Sequence, residues 1–263
     1  SPAWALLPIE HWTQDGGAQV WLVNSPGIPM VDVQIDFDAG SRREPENQTG
    51  LASAVALMTS KGVAAQDGQS ALDENAVGEA WADLGANFGA SAGRDGFSYG
   101  LRSLTEKSLL DRAVALAARQ IAAPSWPEDV WQRERQRWSA ALKESDTRPG
   151  TVAAKAFRKN VFGDNPYGAI ATQQSIANID IAAMQAFHQR LIAACRAKVS
   201  VVGAVDRAQA DELVAALLAP LKARQAQGSC APLPEVPKVQ DLAAPKTDNI
   251  PFDSAQAHVL IGQ

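Results

Sequence analysis

The sequence predicts an α+β fold in which a mostly antiparallel sheet of about six strands is covered on one face by helices. Short segments alternate apolar and polar residues with period two, as half-buried strands do, and apolar or amphipathic helical segments lie between them. A Gly-Arg-Asp-Gly run between two of the alternating segments is typical of a hairpin loop. The 263 residues suffice for one to two domains with a real core.

The first part of the chain predicts two strands followed by two helices. Residues 18–23 and 31–37 alternate with period two around a Ser-Pro-Gly turn signal, and we expect them to pair with each other. Residues 50–61, rich in alanine and leucine, predict a buried helix. An amphipathic helix is expected over residues 70–84, with Gly85 as its C-cap.

The next part predicts the hairpin and then a mostly helical region. Strands at residues 86–92 and 97–104 flank the glycine-rich run. Residues 198–203 form a short apolar segment that predicts one further strand. The helical patterns occur at residues 109–122, 127–144, 152–161, 181–194 and 206–221, the last with Asp206 as its N-cap.

The composition changes after residue 221. We expect residues 1–221 to form one complete domain, and residues 222–253, which carry five prolines among polar residues, to form a linker. Residues 257–262 begin to alternate like a strand. A lone strand cannot bury its own face, so residues 254–263 are expected to open a second domain that is cut off and resembles the first.

Charge and composition exclude several classes of function. With 24 basic and 29 acidic residues the formal charge is −5, so the chain lacks the basic excess of a nucleic-acid-binding protein. Two cysteines and three histidines are too few for a cysteine-rich zinc module or a disulfide-dense scaffold. The sequence does not decide whether Cys195 and Cys230 are two free thiols or form one disulfide. No apolar run is long enough to cross a bilayer.

Residues 40–62 read G-S-R-R-E-P-E-N-Q-T-G-L-A-S-A-V-A-L-M-T-S-K-G and resemble the signature of the pitrilysin and insulinase zinc peptidases, which include the mitochondrial processing peptidases. The resemblance covers about residues 18–221, because further stretches agree in the same order, at residues 84–86, 124–135, 162–168 and 201–205. It implies the α+β fold of that family, whose members carry an inverted zinc motif, H-x-x-E-H.

The same resemblance implies that the zinc site is lost. The two histidines and the catalytic glutamate of H-x-x-E-H fall on Ser53, Leu57 and Ala56, and the third ligand, a glutamate on a later helix, falls on Ala140 or Ala141. Serine is a poor zinc ligand, and alanine and leucine offer no ligand or base. We therefore expect no metal, no cofactor and no catalytic residue in this chain. Ser53 is not expected to act as a nucleophile either, since no histidine is near it in the sequence.

In this family an active chain often works with a zinc-free relative. The resemblance implies a non-catalytic subunit that pairs with an active, zinc-bearing subunit and helps to enclose unfolded peptides for proteolysis. In some bacterial pairs the inactive chain supplies an arginine and a tyrosine from its second domain, a region that would follow Gln263. The alternatives are an assembly scaffold with no role in proteolysis and a peptide-binding module that acts alone.

One strand is a candidate for peptide binding. In catalytic relatives the strand that matches Asn87, Phe88, Gly89 and Ala90 is an edge to which a substrate peptide adds by backbone pairing. An ordinary core hairpin is the alternative. His11 and His188 stand singly, without a partner at ligand spacing, and are interpreted as surface or capping residues, whereas His258 lies in the segment expected to form a strand.

The expected location is the periplasm of a bacterium, with the cytoplasm as the alternative. The chain begins Ser-Pro-Ala, which is not a natural start, so we expect that a signal peptide has been removed. Inactive bacterial relatives whose chains begin with a similar L-P-I-E-H-W stretch typically carry such a leader.

Overall fold

A computed structural model describes residues 8–66, 68–225 and 230–262 and shows helices packed on a mostly antiparallel sheet. The strands are β1 (Glu10–Thr13), β2 (Gln19–Asn24), β3 (Met30–Phe37), β4 (Gly62–Val63), β5 (Leu72–Asp73), β6 (Asn87–Ala92), β7 (Phe97–Leu104) and β8 (Lys198–Gly203). The helices are α1 (Leu51–Met58), α2 (Glu74–Leu84), α3 (Lys107–Ala122), α4 (Glu128–Ser145), α5 (Pro149–Phe162), α6 (Gln173–Ala177), α7 (Ile181–Leu191) and α8 (Arg207–Ala223). The predicted fold class is confirmed.

The main sheet has six strands in the order β1-β2-β8-β3-β7-β6, and only β2 and β8 run parallel. The expected pairing of the first two strands is wrong, because β8 lies between β2 and β3. Val201 of β8 is opposite Leu22 on one side and Val33 on the other, and all three side chains are buried. The alternation of apolar and polar residues shows which face of a strand is buried, but it does not show which strands lie beside it in the sheet.

The core lies between one face of this sheet and the helices. Side chains that point inward from β3 and β8, such as Ile35 and Val199, are almost fully buried, whereas their neighbours Gln34 and Ser200 are exposed. Helices α1, α3 and α8 contact strands on the buried side, and α7 packs on α1. Burial of the apolar face at roughly 25 cal/mol per Å² is the main force that holds these layers together.

Helix ends follow the expected capping chemistry, with one correction. Gly85 ends α2 in the left-handed region at φ 58°, and the Asp206 carboxylate accepts the backbone N–H of Gln209 at 2.9 Å to begin α8. The second helix starts at residue 74 and not at residue 70. The Asp73 carboxylate accepts the N–H of Ala76 at 2.8 Å and caps the helix there, while Leu72 belongs to the short strand β5.

The segment predicted as a linker is partly helix and partly an extended tether. Helix α8 continues to Ala223, and residues 230–253 form neither helix nor strand. Cys195 and Cys230 are joined in a disulfide, with their Cα atoms 5.9 Å apart, which decides the alternative that the sequence left open. Arg196 then holds the Ala231 carbonyl, with Nη2 2.6 Å from the oxygen.

Residues 257–262 were expected to form a strand and do not. They are exposed and belong to neither sheet, because strand conformation needs a hydrogen-bonding partner that the described part of the chain does not supply. The division into a domain at residues 1–221, a linker at 222–253 and a second domain from residue 254 stays a prediction.

His188 was interpreted as a surface or capping residue, and this interpretation is wrong. The ring is 2 % exposed; its Nε2 lies 3.3 Å from the Tyr99 hydroxyl, and its Nδ1 lies 2.8 Å from Nη2 of Arg224. Burial, followed by the charge of Arg224, lowers the pKa of His188 to about 3. His11 is exposed, as expected, and His258 is exposed as well.

The buried histidine predicts acid sensitivity. An unfolded chain protonates His188 near its usual pKa of 6.5, whereas the folded chain does so only near 3, so stability is present above pH 6.5 and is lost as the pH falls from 6.5 to 3. In urea unfolding followed across this range, His188→Gln is expected to flatten the pH dependence. His11→Gln, on an exposed ring, is the control and should keep the wild-type slope; equal slopes for all three proteins would contradict the assignment.

Candidate functional site

The helix that carries the candidate zinc positions is held in place by a carboxylate from the preceding loop. Glu44 accepts the backbone N–H groups of Gly50 at 2.8 Å and Ala52 at 2.7 Å, so it caps the N-terminus of α1. Burial raises the pKa of Glu44 to about 7, although these two hydrogen bonds favour its charged form. Gly50 has φ 110°, and a Cβ there would lie 3.0 Å from the Trp138 ring, so a larger residue would be strained.

Three candidate positions lie on α1. Ser53 and Leu57 are four residues apart and therefore share one face of the helix. Ser53 is exposed and Leu57 is half-buried, so that face is open to solvent at one end. Ala56, at the position of the catalytic glutamate, is 8 % exposed. Ligands at positions 53 and 57 would therefore point the same way, but Ser53 and Leu57 supply neither an imidazole nor a carboxylate.

Helix α4 lies across α1 and brings the last two candidate positions toward it. Glu134 is 3.7 Å from the Nζ of Lys61, just after α1, and Trp138 packs on Gly50 at its start. Positions 134, 138 and 141 follow i, i+4, i+7 spacing, so Ala141 shares the face of α4 that meets α1. Ala140 lies about 100° around the helix from that face.

These side chains do not fit a zinc ion. The five positions Ser53, Ala56, Leu57, Ala140 and Ala141 offer one hydroxyl oxygen in place of the imidazoles and carboxylates that zinc requires. In the ranges that the structure describes, no group of three or more histidine, cysteine, aspartate or glutamate residues is placed to hold a metal. No chemical step through zinc can be assigned to this chain.

An ion-pair cluster next to these positions was not singled out from the sequence. Lys61 contacts both Glu74 of α2 and Glu134 of α4, and Arg133 contacts the same two carboxylates at 2.8 Å. Hydrogen bonds from Lys61 and then Arg133 lower the pKa of Glu74. The cluster joins α2 and α4 to the segment that follows α1, and charges on three separate segments give no local sequence signal.

The candidate peptide strand lies at an edge of the sheet. β6 pairs only with β7, so the backbone groups on its other side have no strand partner among the described residues. The Phe88 ring anchors the strand, because it stacks between the rings of Trp81 and Tyr99 at centroid distances of 5.5 and 5.8 Å. Asn87 and Gly89 are exposed, and a Cβ on Gly89 would meet no atom within 4 Å.

The strand and the helix therefore form one surface. β6 contacts α1, the helix that carries Ser53, Ala56 and Leu57. Ala90 alternates with Gly89 and is half-buried against the core.

Comparison with known proteins agrees with this geometry. Residues 19–174, more than half of the chain, match the model of the insulinase family, peptidase family M16. Uncharacterised zinc proteases of Mycobacterium tuberculosis and Mycobacterium bovis are 27% identical over 99% of this chain. The match spans 57% of each of them, so the chain has about half the length of these curated relatives.

Solved structures give the same result. A peptidase M16 inactive domain from Pseudomonas fluorescens superposes with a TM-score of 0.78 at 29% identity, covering 89% of this chain and 54% of that one. The periplasmic protease PqqL from Escherichia coli shares the fold, with a TM-score of 0.71 at 18% identity, covering 89% of this chain and 25% of that one.

The fold defines a domain of the zinc-peptidase class built around an inverted zinc motif. The chain belongs to the insulinase family, peptidase family M16. The predicted family is confirmed. The assignment of the individual site positions stays a prediction.

Restoring the missing side chains tests that assignment. We expect the purified wild-type chain to retain no stoichiometric zinc after dialysis, and Ser53→His, Ala56→Glu, Leu57→His and Ala141→Glu together to retain about one equivalent. The same set with Ala140→Glu instead is the matched control and should bind less, because residue 140 lies off the shared face. Zinc is measured by elemental analysis; stoichiometric zinc in the wild type would contradict the assignment.

The Glu44 cap makes a second prediction. Glu44→Ala should lower the free energy of unfolding by about 1–2 kcal/mol, the usual range for a lost helix cap, whereas Glu46→Ala, on an exposed side chain nearby, should have little effect. Because the pKa of Glu44 is raised from 4.5 to about 7, its contribution is largest below pH 4.5 and declines as the pH rises through 7. Urea unfolding at pH 5 and pH 8 measures both effects. Equal losses at the two pH values would contradict the raised pKa.

Proposed function

We propose that this chain is the non-catalytic subunit of an M16-type zinc peptidase, which pairs with an active, zinc-bearing subunit and helps to enclose and bind peptides. The observation that carries the proposal is the contrast between the retained frame and the missing ligands. Glu44, Gly50 and Trp138 hold α1 and α4 in position, while Ser53 and Leu57 stand where two imidazoles would be needed.

Loss of every ligand position together, with the frame retained, is what a subunit needs when its partner supplies the chemistry. A chain that served only as a folded spacer would need neither the α1 cap nor an open edge strand beside it. We propose that zinc is held in the partner alone and that this chain has no peptidase activity by itself. The name of the Pseudomonas neighbour, an inactive M16 domain, supports this reading.

The peptide is proposed to add to β6. Its outer edge presents backbone donors and acceptors that no strand of the described residues uses, and a second strand could pair with them. Sequence-tolerant backbone pairing suits unfolded peptides of varied sequence, because it does not depend on the peptide side chains. The stacked Phe88 keeps the edge rigid and so lowers the entropic cost of binding.

Domain organisation and location are part of the same proposal. We propose that residues 222–253 connect the domain at residues 1–221 to a second, similar domain that begins near residue 254, as the length of the curated relatives suggests. The periplasm is the proposed location, by likeness to the fold of the periplasmic PqqL. None of the helices in the described ranges is both long enough and apolar enough to cross a membrane.

Affinity capture of the tagged chain from its native cells tests the pairing. The expected result is co-purification, close to one to one, of a family member that carries an intact H-x-x-E-H motif, identified by mass spectrometry. Recovery of an unrelated membrane complex would favour an assembly scaffold instead. Recovery of the chain alone, together with measurable affinity for unfolded peptides, would favour a peptide-binding module and contradict the pairing.

A further inference from the structure

A second concave site lies away from α1, where the chain from residue 230 to residue 237, here called the strap, crosses the end of the sheet. The cavity has a volume of about 340 Å³. It is bounded by the loop after β3, the start of β8 and the first four residues of the strap. Its charged lining consists of Asp38, Arg43, Arg196 and Lys198.

The strap is fastened to the domain at several points, so the cavity is preformed. The Cys195–Cys230 disulfide anchors its first residue, and Arg196 and Arg43 donate to the carbonyls of Ala231 and Pro234. Leu233 packs against the core between these points, and Asn165 donates to the Pro237 carbonyl at 2.9 Å. A fixed wall of this kind lowers the ordering cost that a ligand would otherwise bear.

The cavity lining has more cationic than anionic side chains. Three cationic side chains face one carboxylate, Asp38, and that carboxylate is already engaged by Arg42 at 3.0 Å and by Arg43 at 2.5 Å. In the part of the chain that the structure describes, Arg196 and Lys198 have no carboxylate within ion-pair distance. Such an excess is unusual on a chain whose formal charge is −5.

Neighbouring groups increase this excess. The Arg190 carbonyl accepts a hydrogen bond from Nη1 of Arg196 at 2.8 Å. The guanidinium of Arg190 donates to the Arg43 carbonyl at 3.1 Å, so a further cation lies beside the cavity. Burial, then the nearby charges of Arg43 and Arg190, lowers the pKa of Arg196. A half-buried guanidinium among other cations is stabilised by an anion more than by water.

We propose that the strap cavity binds a small oxyanion, a carboxylate or a phosphate, held by Arg196 and Lys198. Guanidinium and ammonium groups that converge on a concave surface are the donors that such groups require. The volume lies within the range of small-ligand pockets. Arg43 is engaged by Asp38 and the Pro234 carbonyl, which leaves Arg196 and Lys198 as the proposed donors. The site uses no residue of the surface formed by α1 and β6, so it is independent of the proposed pairing.

Calorimetric titration of the whole chain tests the site. Inorganic phosphate and citrate are titrated separately at constant ionic strength set with sodium chloride, so that the two kinds of oxyanion are distinguished and general screening is held fixed. Saturable binding of one of them is expected. Arg196→Gln and Lys198→Gln should each weaken it by about tenfold, the effect of one charge-assisted hydrogen bond.

Matched variants separate the site from a general effect of charge. Arg112→Gln removes one positive charge from the exposed surface of α3 and should leave the affinity unchanged. Lys198 is exposed, so its substitution keeps the fold even if Arg196→Gln does not. No saturable binding of either anion, or an equal loss with Arg112→Gln, would overturn the proposal.

Discussion

The arrangement of the site depends on one buried carboxylate. Glu44 reaches from the loop after β3 to the N–H groups of Gly50 and Ala52 and thereby fixes where α1 begins and which way it points. The left-handed turn at Gly50 allows Trp138 of α4 to pack against the same point. One hydrogen-bonded junction therefore sets the positions of both helices that carry the candidate zinc positions. This junction consists of backbone and side-chain groups of the protein.

A metal-independent frame has a functional consequence. In an active zinc peptidase, ligands and frame stabilise each other, since metal binding contributes to folding. Here ion pairs join α2, α4 and the end of α1 next to the candidate zinc positions; the paired residues are Lys61, Glu74, Arg133 and Glu134. Surface pairs of this kind are individually weak, but four groups shared among three segments act as a network. Under the proposed function, such a network would let the domain keep the shape of a peptidase while a partner supplies the chemistry.

The sequence predicted the elements of the fold well and their neighbours less well. Strand alternation and helix capping are local, which is why Asp206 and Gly85 were placed correctly. The insertion of β8 between β2 and β3 is a contact between distant segments, and nothing in either strand encodes it. His188 was misplaced for the same reason: its burial depends on Tyr99 and on α8, far away in the chain.

For the site, the family resemblance supplied the positions, and the structure supplied their orientation. Ala140 and Ala141 could not be told apart until the contacts of Glu134 with Lys61 and of Trp138 with Gly50 showed which face of α4 meets α1. The strap cavity had no sequence signal at all. Arg43, Arg196 and the strap come together only because the chain returns across the end of the sheet.

Reconstitution of proteolysis tests directly whether this chain assists an active, zinc-bearing subunit. A purified zinc-bearing partner is assayed with an unfolded fluorogenic peptide, alone and with this chain, and the chain is expected to raise kcat/KM while cleaving nothing by itself. Gly89→Leu, on the open edge of β6, should reduce the gain, whereas Thr13→Leu, on the opposite edge strand β1, should not. An unchanged kcat/KM on addition of the chain, or cleavage by the chain alone, would contradict the proposed role as a non-catalytic, peptide-binding subunit.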